Sequence, residues 1–264
     1  MRLRALRRDR AARAGVELFV YDRAFEDCLE RIALHQRRFE RALLIGCPDP
    51  RWPDRLSAIA DRVEVHDPGP QFAFKSGGSG ITEDAWEPIP AAFDLVLSIG
   101  TFDTVNDLPL ALRLIRFAMS GGGLFIAAFS GGDTLPQLRS AMRAADASCG
   151  IAAPHVHPRI EASALAGLLN DAGFTNPVID VDRMTVSYPS LERLLGDLRA
   201  MGVTNILRAR PRWVGRAALA SAAASFAAAG EGKLIPEMFE ILHFAAWVPK
   251  EGSSGINLRT GNSC

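Results

Sequence analysis

The chain has 264 residues, of which 48% are hydrophobic, and it carries 30 basic and 30 acidic side chains. A chain of this length is long enough to bury one full α/β domain and too short for two. Because the formal charges cancel, there is no overall field to attract nucleic acid or an anionic membrane, and we expect neither as a partner.

The cysteines Cys28, Cys47, Cys149 and Cys264 lie far apart and never form a C-x-x-C pair. This spacing argues against a zinc cluster and a disulfide framework, and it favours a reducing compartment. The longest apolar run, Ala217 to Ala229, is rich in alanine and serine and falls short of the roughly 18 residues of a membrane span. We interpret it as a soluble helix and expect no membrane-spanning segment.

The first 14 residues contain six arginines and a single acid, Asp9. Such a composition is typical of a mitochondrial transit peptide, but the segment lacks serines. We favour a basic amphipathic helix with Leu3, Leu6 and either Ala11 or Ala12 on one face. It opens an N-terminal helical extension, residues 1–40.

A second helix of this extension is predicted from its cap at Asp22 to about Arg38, with apolar side chains at helical spacing. The expected apolar residues are Phe25, Leu29, Ile32 and Leu34. The main domain, 41–250, then alternates strands with helices. Its strands are predicted at Ala42–Ile45, Val63–His66, Phe93–Ile99, Gly123–Phe129, Val178–Val181 and Phe239–Val248.

The helices of this domain are predicted between those strands. One is expected to begin after a cap at Asn106 or Asp107 and to bury Leu110, Leu114 and Phe117. The others are expected at Trp52–Ala60, Thr134–Ala147, Ala162–Asp171, Ser190–Met201 and within Ala217–Ala229. Lys75 to Gly80, KSGGSG, is predicted to be a mobile surface loop, and Gly121 to Gly123 a turn. The tail 251–264 is predicted to be disordered.

This alternation predicts an α/β, doubly wound sheet that binds ligands at the carboxyl ends of its strands. Gly46 and Cys47 follow the first strand, and Asp67 follows the second, 21 residues after Gly46. An acid about 20 residues after the glycine loop is where ribose hydroxyls are bound in such folds. An aspartate before Pro-Gly is also common in turns, so both interpretations of Asp67 stay open.

Several segments carry a family resemblance that covers about Ala5 to Trp247. The stretches FDLVLSIGTFDTVNDLP, SGGDTLPQLR, PHVHP and DLRAMGVTN, together with RRDRAA near the N-terminus, resemble the methyltransferase-fold assembly factor of respiratory complex I and its alphaproteobacterial relatives. That family is similar to the biotin-pathway methyltransferase that acts on malonyl-acyl-carrier protein.

The resemblance implies a Rossmann-like methyltransferase sheet of seven strands, the seventh antiparallel, with S-adenosylmethionine as cofactor. The cofactor-binding residues that it implies are Gly46, Cys47, Asp67, Asp84 and Ser98. The glycine-rich loop departs from the family pattern, because Pro48 and Pro50 stand among the positions of later glycines. Proline has no amide proton to donate and its ring fills space, so we expect weak or lost cofactor binding.

The residues expected to face a substrate are Asp103, Asp133, Thr134 and His155. Asp103 and Thr104 stand where relatives have His and Trp, and Asp133 or Thr134 could equally be a helix cap. His155 and His157 could share a face, but no third ligand is evident and we expect no metal site.

Two functions remain open on these grounds. The first is a SAM-dependent enzyme that modifies a protein partner by methylation, or by arginine hydroxylation as the mitochondrial member does. The second is a catalytically inactive scaffold, an assembly factor or the inert subunit of a hetero-oligomer, that no longer binds SAM. For either we expect a protein partner and a bacterial cytoplasmic location, with any contact to the inner membrane made through that partner.

Overall fold

The structure is a computed structural model that describes residues 2–157, 160–208, 215–230 and 232–250. The predicted disordered tail, 251–264, lies outside the described residues. The division into an N-terminal extension and a main domain stays a prediction.

The described residues form one sheet of seven strands in the order β3-β2-β1-β4-β5-β7-β6. The strands are β1 (Phe39–Ile45), β2 (Ala60–Asp67), β3 (Ser79–Gly80), β4 (Phe93–Ile99), β5 (Met119–Ser130), β6 (Thr175–Tyr188) and β7 (Ile235–Trp247). β1 pairs in parallel with both β2 and β4, and β7 runs antiparallel to β5 and β6. The strand order therefore reverses beside β1 and β4, where this fold class binds ligands. The predicted fold class is confirmed.

Helices cover both faces of the sheet. The helices are α1 (Arg2–Ala14), α2 (Phe19–Ala33), α3 (Trp52–Ser57), α4 (Pro70–Lys75), α5 (Leu108–Ala118), α6 (Pro136–Cys149), α7 (Ala162–Asp171), α8 (Leu191–Ala200) and α9 (Arg216–Ala227). Leu44 of β1 faces the core beneath α2, α6, α8 and α9, whereas Leu43 and Ile45 face the core beneath α5 and α7. Side chains on both faces are buried, which explains the unbroken apolar runs in the central strands.

α2 joins the first core through apolar side chains at helical spacing. Phe25 and Ile32 are buried, and the Phe25 ring stacks on Trp52 of α3 at a centroid distance of 4.2 Å. The helix begins at Phe19 and ends at Ala33, earlier than predicted at both ends. Leu34, predicted at helical spacing within this helix, therefore falls beyond its end and is exposed.

The predicted buried stripe of α5 was wrong, although its cap was right. Asp107 accepts a hydrogen bond from the Leu110 amide at 2.9 Å. The buried positions are Ala111, Leu112, Ile115 and Ala118. Phe117 is exposed. The helix turns its small and branched side chains to the sheet, a choice that its many apolar positions left open.

Glycine-rich segments caused two further errors. Lys75 ends α4, and Ser79 and Gly80 form β3 beside β2, so the prediction of a loop over 75–80 was right only for residues 76–78. Gly78 lies so close to β2 that a Cβ atom there would be 2.2 Å from the Val65 carbonyl oxygen. Gly121 to Gly123, predicted as a turn, belong to β5.

α6 begins differently from its prediction. The helix starts at Pro136, and the preceding Leu135 has a left-handed backbone with φ of 58°. The Leu135 amide donates to the Met238 carbonyl at 2.7 Å, which ties this turn to β7. Neither Asp133 nor Thr134 caps the helix. Among the described residues, none of the helices has both the length and the apolarity of a membrane span.

Candidate functional site

The loop after β1 lies at the switch point, but its groups are engaged within the protein. The Gly46 amide donates to the His66 carbonyl at 2.8 Å. Gly46 has φ of +83°, and a Cβ atom there would be 2.3 Å from the Ile99 carbonyl oxygen. The Ser98 hydroxyl is buried and pairs with the Thr101 hydroxyl at 2.9 Å. The positive φ and the close packing against β4 together explain the glycine at position 46.

Asp67, at the end of β2, is fully buried and its carboxylate accepts four hydrogen bonds. Oδ1 accepts from Arg8 Nε at 2.8 Å and from the Gly69 amide at 2.6 Å. Oδ2 accepts from Arg8 Nη2 at 2.5 Å and from the Cys47 amide at 2.7 Å. A carboxylate offers about four acceptor positions, so the Asp67 carboxylate is saturated by the chain itself.

Glu83, the neighbour of the predicted cofactor-binding residue Asp84, is bound in the same way. Both of its oxygens accept from the Arg4 guanidinium at 2.8 Å, and Arg4 Nη2 also donates to the Thr101 carbonyl at 2.7 Å. Glu83 is fully buried. Asp84 instead accepts from the Asp107 amide at 3.1 Å. The structure thus brings Glu83 to the edge of the sheet formed by the carboxyl ends of β1, β2 and β4. It directs the Asp84 carboxylate to the start of α5.

Both arginines come from α1, whose buried face differs from the predicted one. Arg4 and Arg8 are 4% and 2% exposed, and Ala11 and Ala12 are buried with them. Leu6, predicted to share one face with Leu3 and Ala11 or Ala12, is 56% exposed. The arginines face inward because each finds a buried carboxylate in bidentate geometry, which compensates the loss of hydration.

Polar contacts beyond the arginines also hold α1 in place. The Asp9 carboxylate accepts from the Gln71 amide at 2.8 Å, and the Lys75 ammonium donates to the Ala12 carbonyl. The apolar part is small, with Ala11 and Ala12 against Phe72. The helix therefore covers the ends of β1 and β2 through charged and hydrogen-bonded groups.

The arrangement does not fit an adenosyl cofactor. Such a ligand needs acceptors for its ribose hydroxyls and amide donors from the loop after β1. Here Asp67 has no acceptor position left, the Cys47 amide donates to it, and Pro48 and Pro50 have no amide proton. The Asp49 carboxylate is buried and accepts from the Arg51 amide at 2.9 Å.

A cavity of about 830 Å³ opens beside this edge, and we call it the β5 pocket. Its walls come from α2, α6, α8 and β7 and are largely apolar, including Leu138, Leu198 and Phe239. Three of the four predicted substrate-facing residues line it, namely Asp103, Thr134 and His155. The volume falls within the range of small-molecule sites.

One end of the β5 pocket is polar. Burial raises the pKa of Asp103, opposed by the nearby Arg4 and His157. Burial lowers the pKa of His157, whose Nε2 accepts from the Ile206 amide at 3.3 Å. His155 pairs with Asp146 at 2.7 Å. Each of the two groups opposes the shift of the other's pKa, so Asp103 and His157 interact electrostatically at this end of the pocket.

The remaining predicted residue, Asp133, lies outside the pocket lining. Its side chain is 63% exposed and lies 3.6 Å from the Arg183 guanidinium. The Thr134 hydroxyl accepts from the Glu240 amide at 3.3 Å, and the Glu240 carboxylate accepts from the Asp133 amide at 3.1 Å. These contacts join the end of β5 to β7.

The buried cysteines are not activated. Burial raises the pKa of Cys47 to about 12, and its Sγ donates to the Asp49 carbonyl at 3.2 Å. Burial also raises the pKa of Cys28 well above its usual range. Neither thiol is a nucleophile at neutral pH. Within the described ranges, no three His, Cys, Asp or Glu side chains cluster as metal ligands.

The sequence-based site omitted Arg4 and Arg8, and it included Asp84 rather than its neighbour Glu83. A signal was present, since Arg4, Arg8 and Ala11 or Ala12 recur at helical spacing and so share one face. Arginines usually face solvent, so this pattern alone does not predict a buried face. The two carboxylates that bury them lie 59 and 79 positions away along the chain.

Comparisons with known proteins were made for both sequence and fold. The chain is 35% identical over 229 residues to the mitochondrial arginine-hydroxylase NDUFAF5 of Danio rerio, covering 83% of this chain and 71% of the relative. It is 35% identical over 162 residues to the malonyl-[acyl-carrier protein] O-methyltransferase of Xylella fastidiosa, covering 60% of this chain and 53% of the relative. No protein-family model matches the chain.

The solved YcgJ protein of Bacillus subtilis shares the fold, with a TM-score of 0.59 at 11% identity, over 85% of this chain and 99% of that one. The chain spans about half the length of the mammalian NDUFAF5 proteins that it matches. Sequence and fold together place it among SAM-dependent methyltransferase-like proteins.

Proposed function

Because the chain belongs to the family of the mitochondrial arginine-hydroxylase NDUFAF5, we propose that it recognises a protein partner through the β5 pocket and does not bind SAM at the ordinary cofactor site. It acts as a methyltransferase-like assembly or binding protein. The partner class that the resemblance implies is a subunit of respiratory complex I, met in a bacterial cytoplasm at the inner membrane.

One observation carries the proposal, which is the saturated carboxylate of Asp67. For a ribose to bind there, the Arg8 guanidinium would have to leave a fully buried acid. A hydrogen bond to a charged group contributes about 1.5–3 kcal/mol, so replacing the pair of bonds from Arg8 costs a ligand several kcal/mol of affinity. The loop after β1 offers few donors to offset that cost.

The β5 pocket supports a protein partner. The relatives' names describe one enzyme that acts on arginine and one that acts on a malonyl group of acyl-carrier protein. An arginine side chain and an acyl group carried on a protein are both flexible enough to enter a cavity of this size. A pocket of about 830 Å³ with apolar walls and a polar end at Asp103 and His157 has room for such a group.

The second candidate is SAM-dependent modification of that partner. The switch point between β1 and β4 favours it, with Gly46 after β1 and Asp67 at the end of β2 as in cofactor-binding folds. In that case α1 would have to move before the cofactor could bind.

Isothermal calorimetry with SAM separates the two candidates. We expect no binding heat up to millimolar SAM. The double variant Pro48→Gly/Pro50→Gly should also be silent, because the Cys47 amide would still donate to Asp67. A micromolar dissociation constant for the natural chain contradicts the proposal. Binding by the glycine variant alone would show that the prolines, rather than α1, close the site.

A further inference from the structure

Two buried acids at the carboxyl ends of the strands, Asp67 and Glu83, each bind the guanidinium group of an arginine. We propose that Asp67 and Glu83 form a guanidinium-binding site for which α1 is a tethered ligand supplied by the chain itself. This inference rests on the proposed function in one respect, since it assumes that no adenosyl group binds at Asp67 and Glu83.

The contacts are those by which proteins recognise guanidinium. Arg8 binds Asp67 through Nε and Nη2, and Arg4 binds Glu83 through both terminal nitrogens. The Thr101 carbonyl accepts a further bond from Arg4. A planar fork of donors fits a carboxylate in this way, whereas a lysine ammonium cannot bind both oxygens with parallel bonds.

The surroundings are shaped for an arginine on a helix. A Cβ atom at Gly69 would lie 2.6 Å from Arg8 Cβ, and one at Gly202 would lie 3.2 Å from Arg8 Cα. The Phe72 ring lies beneath the Arg8 guanidinium, 5.1 Å from its centroid. Both glycines therefore allow a close approach that any larger residue would block.

The two arginine pairs are buried ion pairs that attach α1 to the rest of the protein. The buried apolar side chains of α1 are only Ala11 and Ala12, and an isolated helix of 13 residues is marginal in water. Removing the two guanidinium groups therefore leaves two buried carboxylates without their partners, and a small guanidinium compound can bind in the vacated space. We therefore expect the added compound to restore part of the stability that the variant has lost.

The test uses the full-length double variant Arg4→Ala/Arg8→Ala with N-ethylguanidinium as probe. At ten times its dissociation constant, the probe should raise the melting temperature by about 3–5 °C. Ethylammonium, which has the charge without the fork, should have no such effect. The control variant Arg23→Ala, which loses an exposed pair with Asp182, should not respond to the probe.

Should the double variant fail to fold, Arg4→Ala alone provides the test, since Arg8 would still hold α1 on Asp67 while Glu83 loses its partner. Absence of rescue in the variant that folds overturns the inference. Saturable stabilisation of that variant by SAM overturns it differently, because the edge would then be an adenosyl site covered by α1. The proposed function fails on its own terms only if SAM binds the natural chain.

Discussion

Arg8→Ala is expected to lower the free energy of unfolding by about 3–5 kcal/mol, the cost of removing one partner of a buried ion pair. Asp67 is fully buried and would keep only the Cys47 and Gly69 amides as donors. For a chain of this length the loss corresponds to a fall in melting temperature of roughly 6–20 °C. Urea denaturation followed by circular dichroism measures it.

Two matched variants separate the buried charge from other effects. Arg23→Ala removes an exposed ion pair and should cost about 0–1 kcal/mol. The double variant Arg8→Leu/Asp67→Asn removes both buried charges, so it should lose less stability than Arg8→Ala. If Arg8→Ala were as mild as Arg23→Ala, α1 would not be docked on Asp67 as described.

Gly46→Ala is the second large effect, with an expected loss of about 2–5 kcal/mol from left-handed backbone strain and overpacking together. The added methyl group would lie 2.3 Å from the Ile99 carbonyl oxygen and 2.5 Å from Thr101 Cγ2. The first contact is with backbone, so β1 and β4 would have to separate. The same denaturation measurement applies.

Gly77→Ala is the control for this prediction. Gly77 has a similar positive φ, +68°, but no atom lies within 4 Å of the added methyl group. We expect about 1–2 kcal/mol from backbone strain alone. Equal losses in the two variants would show that the close approach of Gly46 to β4 does not matter.

Most strands and helices could be predicted from the sequence because their apolar patterns lie within short segments of the chain. The run Phe93–Ile99 and the helix Ala162–Asp171 were predicted to the residue, since burial on both faces or one clear apolar stripe marks each of them. β3 was missed because its two residues, Ser79 and Gly80, form a strand only through pairing with β2. Pairing of this kind leaves no periodicity in the sequence.

The candidate site was predicted only in part for the same reason. Asp67 could be placed by its distance from Gly46, because the βαβ unit fixes that spacing. The burial of Arg8 depends on a carboxylate in a distant strand, and hydrophobicity alone places arginine in solvent. The prediction of weak cofactor binding rested on Pro48 and Pro50 and stays a prediction. The arginines that bind Asp67 and Glu83 belong to the segment predicted as an N-terminal extension.

The most direct test of the account is a crystal structure of the natural chain grown with millimolar S-adenosylhomocysteine. The account predicts Arg8 on both oxygens of Asp67 and Arg4 on Glu83, with no nucleoside density at the ends of β1 and β2. Ribose hydroxyls on the Asp67 carboxylate, with α1 displaced, would contradict it.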